Sequence, residues 1–271
     1  DEITKIAGGQ NAKLGDFPYM VVVHQILGNG NAVQCGGTIL SKRWVLTAAH
    51  CAIRYPRRFL VVFGIVNKYG ISYDTYIGPG GSMIATQAFI YPDYSQGDNV
   101  LNDIALIYMP HDIPFSMLFC NLSLIRYSRP IQQTFRFFIK LVLSRTIRPI
   151  NLAYKDSENF DGKSAFAIGW GKYHTNSGVS TRLQYAALPI IGNTICRRFW
   201  YHLTAKEVCT APGLGRNACQ GDSGGPLVVV ENGMDIQVGI VSYGDAYCPS
   251  NMPGVFTRVS SYISWIHGIM K

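Results

Sequence analysis

Apolar residues along this chain fall into short runs, at residues 19–25, 37–40, 43–47, 59–63, 104–108, 165–170, 184–191, 226–230, 236–242 and 254–257. Asn, Asp, Gly and Pro separate them. Short apolar runs between turn residues predict strands. One segment differs: Val259, Tyr262, Ile263, Ile266 and Ile269 recur at helical spacing. Strands throughout with one terminal helix predict an all-β chain. Neither a repeat of 20–50 residues nor a low-complexity linker divides it, so a single domain is expected. The longest charge-free run, 18–41, is broken by His24, Gln25, Gly28, Asn29 and Gln34, which argues against a membrane span.

Composition agrees with this pattern. At 48% hydrophobic and 15% charged, the chain can bury a large core, and charge-driven disorder is excluded. The 28 Gly and 13 Pro supply the turns. The sequence opens on Asp1 with no signal-peptide pattern, which reads as a secreted chain whose signal peptide has been removed. The net charge of +8 raises the question of nucleic acid. Its Lys and Arg are scattered, however, with no basic helix, helix-turn-helix or finger spacing, so nucleic acid is not an expected partner.

Seven cysteines stand at 35, 51, 120, 196, 209, 219 and 248, without a C-x-x-C pair, and the histidines show no H-x₃-H spacing. A metal site is therefore not expected. Cysteines spread through a Gly-rich processed chain point to disulfides and an oxidising compartment. Seven is odd, so one thiol is left over.

The strongest chemical signal is Gly221-Asp222-Ser223-Gly224-Gly225-Pro226, ahead of a strand. A serine is a poor nucleophile unless a base takes its proton and donors stabilise the oxyanion that forms. Flanking glycines let backbone amides approach a substrate carbonyl. A Gly-rich hairpin turn is the bland reading of the same residues. A base is offered by His50, at the end of the apolar run Trp44-Val-Leu-Thr47-Ala-Ala-His50 and beside Cys51. A third member must orient the imidazole and stabilise its charged form. Asp103 enters the interior-strand run Ile104-Ala-Leu-Ile107, where an unpaired carboxylate would be very costly. Asp93, Asp98 and Asp112 stand in turn-like contexts and fit this role less well.

With the order His50, Asp103, Ser223 and the motifs T-A-A-H-C, D-I-A-L and G-D-S-G-G-P, the chain resembles the chymotrypsin/trypsin-type serine endopeptidases. The resemblance implies two packed six-stranded antiparallel β-barrels, a cleft between them and a C-terminal α-helix. The first barrel would span about 6–116 and the second about 145–271. It implies the bridges Cys35–Cys51, Cys196–Cys209 and Cys219–Cys248. It further implies Ser223 as nucleophile, His50 as base and then acid, and Asp103 as its orienting group. Gly221 and Ser223 would supply the oxyanion-hole N–H groups. Ser242 is similar to the strand that pairs with substrate backbone, and Tyr243 replaces the usual Trp, which would loosen the wall beside the pocket. A monomer acting on polypeptides is expected, open to protein inhibitors. The competing reading is an inert family member that serves as a binding or scaffold protein.

Thr4-Lys5-Ile6-Ala7-Gly8-Gly9 resembles the family's activation site, with Ala7 where Val is usual. Residues 1–5 would then be the remnant of an activation peptide. Cleavage after Lys5 by a trypsin-like enzyme would free the Ile6 α-amino group to pair with Asp222. Calcium is not expected as a cofactor, because the loop at 64–70 carries no acid. No other cofactor is expected. The pocket floor falls on Asn217, where trypsin-like members carry Asp, and the walls fall on Gly244 and Gly254. A cationic P1 residue would be left unpaired, so cleavage after Tyr, Phe, Leu or Met is expected, with Tyr or a polar P1 such as Asn or Gln as the alternative that an Asn amide at the floor would favour.

Residues 117–144 interrupt the family pattern. They hold Cys120, four of the eight net positive charges and the sequon Asn121-Leu122-Ser123. Long loops without regular structure are uncommon. The stretch reads as a translated intron or similar splice artefact, with a surface exosite as the competing reading.

Overall fold

The computed structural model describes residues 8–97, 99–115, 146–155 and 159–271, and the backbone at 117–118 and 144–145. The first half of the chain contributes β1 (Gln10–Asn11), β2 (Met20–Ile26), β3 (Ala32–Ser41), β4 (Trp44–Thr47), β5 (Phe59–Phe63), β6 (Gly81–Ala85), β7 (Gln87–Ile90) and β8 (Ala105–Tyr108). All but β1 form one antiparallel sheet, in the order β6-β5-β2-β3-β4-β8-β7. Only Thr86 separates β6 from β7. The two are halves of one bent strand, which pairs with β5 at one end of the sheet and with β8 at the other. The sheet is thereby closed through the chain itself.

β9 (Met117–Leu118) and β10 (Ser144–Arg145) pair only with each other, antiparallel, with Met117 opposite Arg145. The anomalous stretch therefore begins and ends at neighbouring points. Its interior, including Cys120 and the sequon, lies outside the described residues.

The second half contributes β11 (Asn151–Leu152), β12 (Ser164–Gly169), β13 (Gln184–Ile191), α1 (Asn193–Cys196), β14 (Glu207–Thr210), β15 (Pro226–Glu231), β16 (Met234–Tyr243), β17 (Gly254–Arg258) and α2 (Ile263–Ile269). Here β13-β12-β15-β16-β17-β14 closes back on β13, giving a six-stranded barrel. β1 reaches across to pair with β13 and ties the start of the described chain to this second barrel.

The near-continuous apolar runs have a physical cause in the two faces of β2 and β5. Val21, Val23, Phe59, Val61 and Phe63 pack in the first barrel's cluster, which also holds Val45, Leu46 and Leu106. The alternate residues, Met20, Val22, Leu60 and Val62, pack with Ile168, Trp170, Leu183 and Val228 of the second barrel. A strand buried on both faces has no polar side to show. Leu188, Ile190, Leu227, Val229 and Phe256 fill the second barrel. The terminal segment turns first as a 3₁₀ helix over Val259–Tyr262 and becomes α-helical at Ile263. Tyr262, Ile263 and Ile266 press it onto the first barrel's cluster. The second barrel's C-terminal extension thus clamps the first.

Candidate active site

The structure brings residues from both barrels to one cleft. Thr47 ends β4, and the 3₁₀ turn Ala49–Cys51 carries His50 out of it. Cys51 is bonded to Cys35 on β3, which pins that turn from below. Asp103 arrives from the other side, two residues before β8. Asn102 precedes it in the left-handed region at φ 54°, a conformation that Asn tolerates better than most residues. The Asn102 amide donates to Asp93 O at 2.8 Å, and the Tyr262 hydroxyl donates to Asn102 Oδ1 at 2.9 Å. The turn that delivers Asp103 is thereby fixed at both ends of one side chain. Asp112 stays at the surface beside Lys42, and Asp98 lies outside the described residues.

Asp103 is 1% exposed and fully engaged. Its Oδ1 accepts the His50 backbone N–H at 2.9 Å, and its Oδ2 lies 2.7 Å from His50 Nδ1. Ser242 Oγ donates to the same Oδ2 at 2.6 Å, and Thr257 Oγ1 donates to the Asp103 carbonyl at 2.9 Å. Burial pushes the carboxyl upward, but the hydrogen bonds and charge of His50, helped by Ser242, outweigh it and leave Asp103 below the usual carboxylate range. Asp103 therefore stays ionised. Its hydrogen bond to Nδ1 leaves Nε2 as the imidazole's free face. Beyond the substrate-side role that its motif implies, Ser242 secures the carboxylate through its hydroxyl.

Ser223 sits in the loop ahead of β15. Its carbonyl accepts the Gly36 N–H at 2.8 Å, and Thr47 Oγ1 donates to Gly36 O at 2.8 Å. One short relay therefore joins the strand that ends near His50 to the residue that bears the Ser223 hydroxyl. Gly224 is required here: its φ is +76°, and a Cβ would stand 2.2 Å from Thr47 Oγ1. Gly221 also has positive φ, +95°. Asp222 between them is buried. It accepts N–H groups from Gly171 at 2.7 Å and Cys219 at 3.0 Å. Burial raises its carboxyl to about 6, against lowering by those two N–H groups and by the charge of Lys68. Lys5 and Ile6 lie outside the described residues.

Beside Ser223 opens a cavity of about 290 Å³, lined among others by Val241, Ser242, Tyr243, Gly244 and Gly254. That volume suits one side chain rather than a large cofactor. A Cβ on Gly244 would stand 3.9 Å from Gly254 Cα, so the two glycines face each other and leave the passage open. The Cys219–Cys248 bridge braces this region, and Cys196–Cys209 braces the segment behind it. Asn217 is buried, and its carboxamide is spent locally: Nδ2 donates to Ala218 O at 3.1 Å, and Oδ1 accepts the Ser250 N–H at 3.2 Å. Tyr243 was expected to loosen the wall. Instead its ring is braced edge-on by Trp200 at 5.4 Å and stacked by His202 at 6.2 Å.

Among the described residues, Cys35, His50 and Cys51 bring metal-type donor atoms within reach of one another. Both sulfurs are joined in a disulfide, so this group offers no thiolate to a metal. No helix among the described residues is long and apolar enough to cross a membrane.

A family model described as trypsin matches residues 6–266. The chain is 33% identical over 267 residues to a venom protease of Bombus pensylvanicus, covering 95% of this chain and 96% of that protein. It is 33% identical over 264 residues to chymotrypsin-2 of Vespa crabro, covering 96% and 98%. A chymotrypsin of Phaedon cochleariae is 32% identical over 268 residues, covering 98% of this chain and 82% of that protein.

Proposed function

Because the chain belongs to the trypsin family and is a serine endopeptidase, we propose that Ser223, His50 and Asp103 perform its chemistry. Ser223 Oγ attacks the scissile carbonyl carbon while His50 Nε2 takes the hydroxyl proton. Asp103 holds the imidazole through Nδ1 and stabilises the imidazolium that forms. The N–H groups of Gly221 and Ser223 receive the oxyanion. His50 then gives its proton to the leaving amine, and water repeats the sequence on the acyl-enzyme. The observation that carries this reading is the doubly hydrogen-bonded Asp103, at 2.9 and 2.7 Å from the backbone and ring of His50. A working general base requires this orientation of the ring. After activation, a sulfonyl fluoride should label Ser223 stoichiometrically, read by peptide mass. An activated chain that takes up no label is the inert binding protein instead.

The protein is read as secreted and made as a zymogen cut after Lys5, consistent with the disulfides and with the names of its venom relatives. Its P1 preference is for Tyr, Phe, Leu or Met. The open passage between Gly244 and Gly254 admits large side chains; Asn217, buried behind the lining residue Ala218, brings no charge, and the lining carboxylate of Asp245 accepts the Ser250 hydroxyl. A satisfied Asn217 amide also makes little demand for a polar P1 group. Asn217→Asp should raise kcat/KM for P1 Arg substrates on the order of 10²-fold, since a buried cation then finds a partner. Profiling wild type and variant on a P1 library checks both statements. A wild-type preference for Arg or Lys would overturn the assignment.

A further inference from the structure

Gln34 stands on β3, opposite His24 on β2. Its Nε2 lies 3.4 Å from the Gly221 carbonyl oxygen and 3.5 Å from that of Trp170. It is also 3.4 Å from where a Cβ on Gly221 would stand. On its other side the carboxamide oxygen accepts a hydrogen bond from the Lys68 ammonium. The orientation of this amide is fixed by chemistry: an ammonium can only donate and carbonyls can only accept. Oε1 must therefore face Lys68, and Nε2 must face Gly221.

Lys68 is itself held in place, its backbone N–H bonded to Thr181 O at 2.9 Å. Burial lowers its ammonium to about 8, and the charge of Asp222 acts in the opposite direction. The peptide joining Gly221 to Asp222 is consequently gripped at both ends. Its carbonyl meets Gln34, and its N–H donates to Cys219 O at 2.9 Å.

We propose that Gln34, keyed by Lys68, is a positioning residue for the oxyanion hole, holding the Gly221–Asp222 peptide so that the Gly221 N–H faces the developing negative charge. This rests on the assignment of Gly221 to that role. It adds a second contribution from the first barrel, beside the Gly36 N–H that holds the Ser223 carbonyl.

The test uses the activated enzyme and a peptidyl anilide substrate, which carries only the aryl amine, and no amino-acid residue, beyond the scissile bond. Gln34→Met keeps the volume but donates nothing. It should lower kcat roughly five- to tenfold, the worth of one modest hydrogen bond, with KM within twofold. Gln34→Glu still accepts from Lys68 but cannot donate to Gly221, and should lose the same factor. Lys68→Met should lose less, and the Lys68→Met/Gln34→Met pair no more than Gln34→Met alone. Affinity for a peptide boronic acid, which mimics the tetrahedral intermediate, should fall in parallel with kcat.

Unchanged kcat in Gln34→Met, a change confined to KM, or full activity in Gln34→Glu would each overturn the proposal. Ser223→Ala in the same assay keeps the two questions apart. If that variant retains activity, the site assignment fails; if it is inert while Gln34→Met is unaffected, only the role of Gln34 fails.

Discussion

Ser223→Ala in the activated enzyme is expected to lower kcat by roughly 10⁶-fold, with little change in KM or melting temperature. The fold should be indifferent to this change, because Ser223 is anchored by its backbone: its carbonyl holds the Gly36 N–H. The chemistry is not indifferent. Without Oγ there is no acyl-enzyme, and His50 has no proton to take. His50→Ala should cost about as much, and the double variant no more than either alone, since the residues act as one unit. Asp103→Asn should cost on the order of 10⁴-fold by presenting the wrong imidazole tautomer. It should also disturb packing, because the Asn side chain keeps one acceptor oxygen where Oδ1 serves the His50 backbone N–H and Oδ2 serves Ser242, so one of these donors loses its acceptor. Single-turnover kinetics on one anilide substrate measure all four variants. A Ser223→Ala enzyme that kept more than a small fraction of its turnover would mean another nucleophile.

The second large effect concerns activation. Lys5→Gln should leave the chain uncut by trypsin-like enzymes and hold its activity roughly 10²–10⁴-fold below that of the cut form. That range follows from the 3–5 kcal/mol cost of removing one member of a buried ion pair. Asp222 supplies the reason. Its carboxyl is raised from 3.8 to about 6, with burial the leading cause. A folded-state value above the unfolded one means that protonation favours folding. This contribution is fully present below about pH 4 and lost as pH rises through 6, a change of about 3 kcal/mol at 1.36 kcal/mol per unit. The uncut chain should therefore lose melting temperature between pH 4 and 7, and Asp222→Asn should flatten that loss. In the cut enzyme the Ile6 ammonium supplies the missing partner, so the loss should shrink there too. Thermal melts of the three forms across that range decide the matter. Identical curves for cut and uncut chains would separate Asp222 from activation.

Much of this was legible in the sequence because the decisive residues sit in local motifs. His50 and Ser223 announce themselves by their neighbours, and the apolar runs at 59–63 and 184–191 match β5 and β13. Other elements were not legible, for reasons of context. β6 and β7 are half-exposed along much of their length, so their alternation is weak and depends on partners elsewhere in the chain. β14 opens on Glu207, which no apolar count would choose for burial. Its carboxylate is held by Thr204, through backbone N–H and hydroxyl, an arrangement invisible without the fold. The Ser242 bond to Asp103 spans 139 positions, and the Gln34 contact with Gly221 spans 187. Contacts at such separations exist only once two barrels meet. The terminal helix shows the opposite case: its apolar spacing was visible, but the 3₁₀ character of its first turn was not.

The small ladder in which Met117 faces Arg145 has a consequence for the history of the chain. Paired strand residues stand about 5 Å apart. A segment that leaves and re-enters across that distance asks nothing of the barrels beyond the closing of a loop. The entropic cost of closure grows only with the logarithm of length, about 0.6 kcal/mol for each doubling. We read this point between the two barrels as a port, where a loop can be exchanged at a cost set by its closure alone.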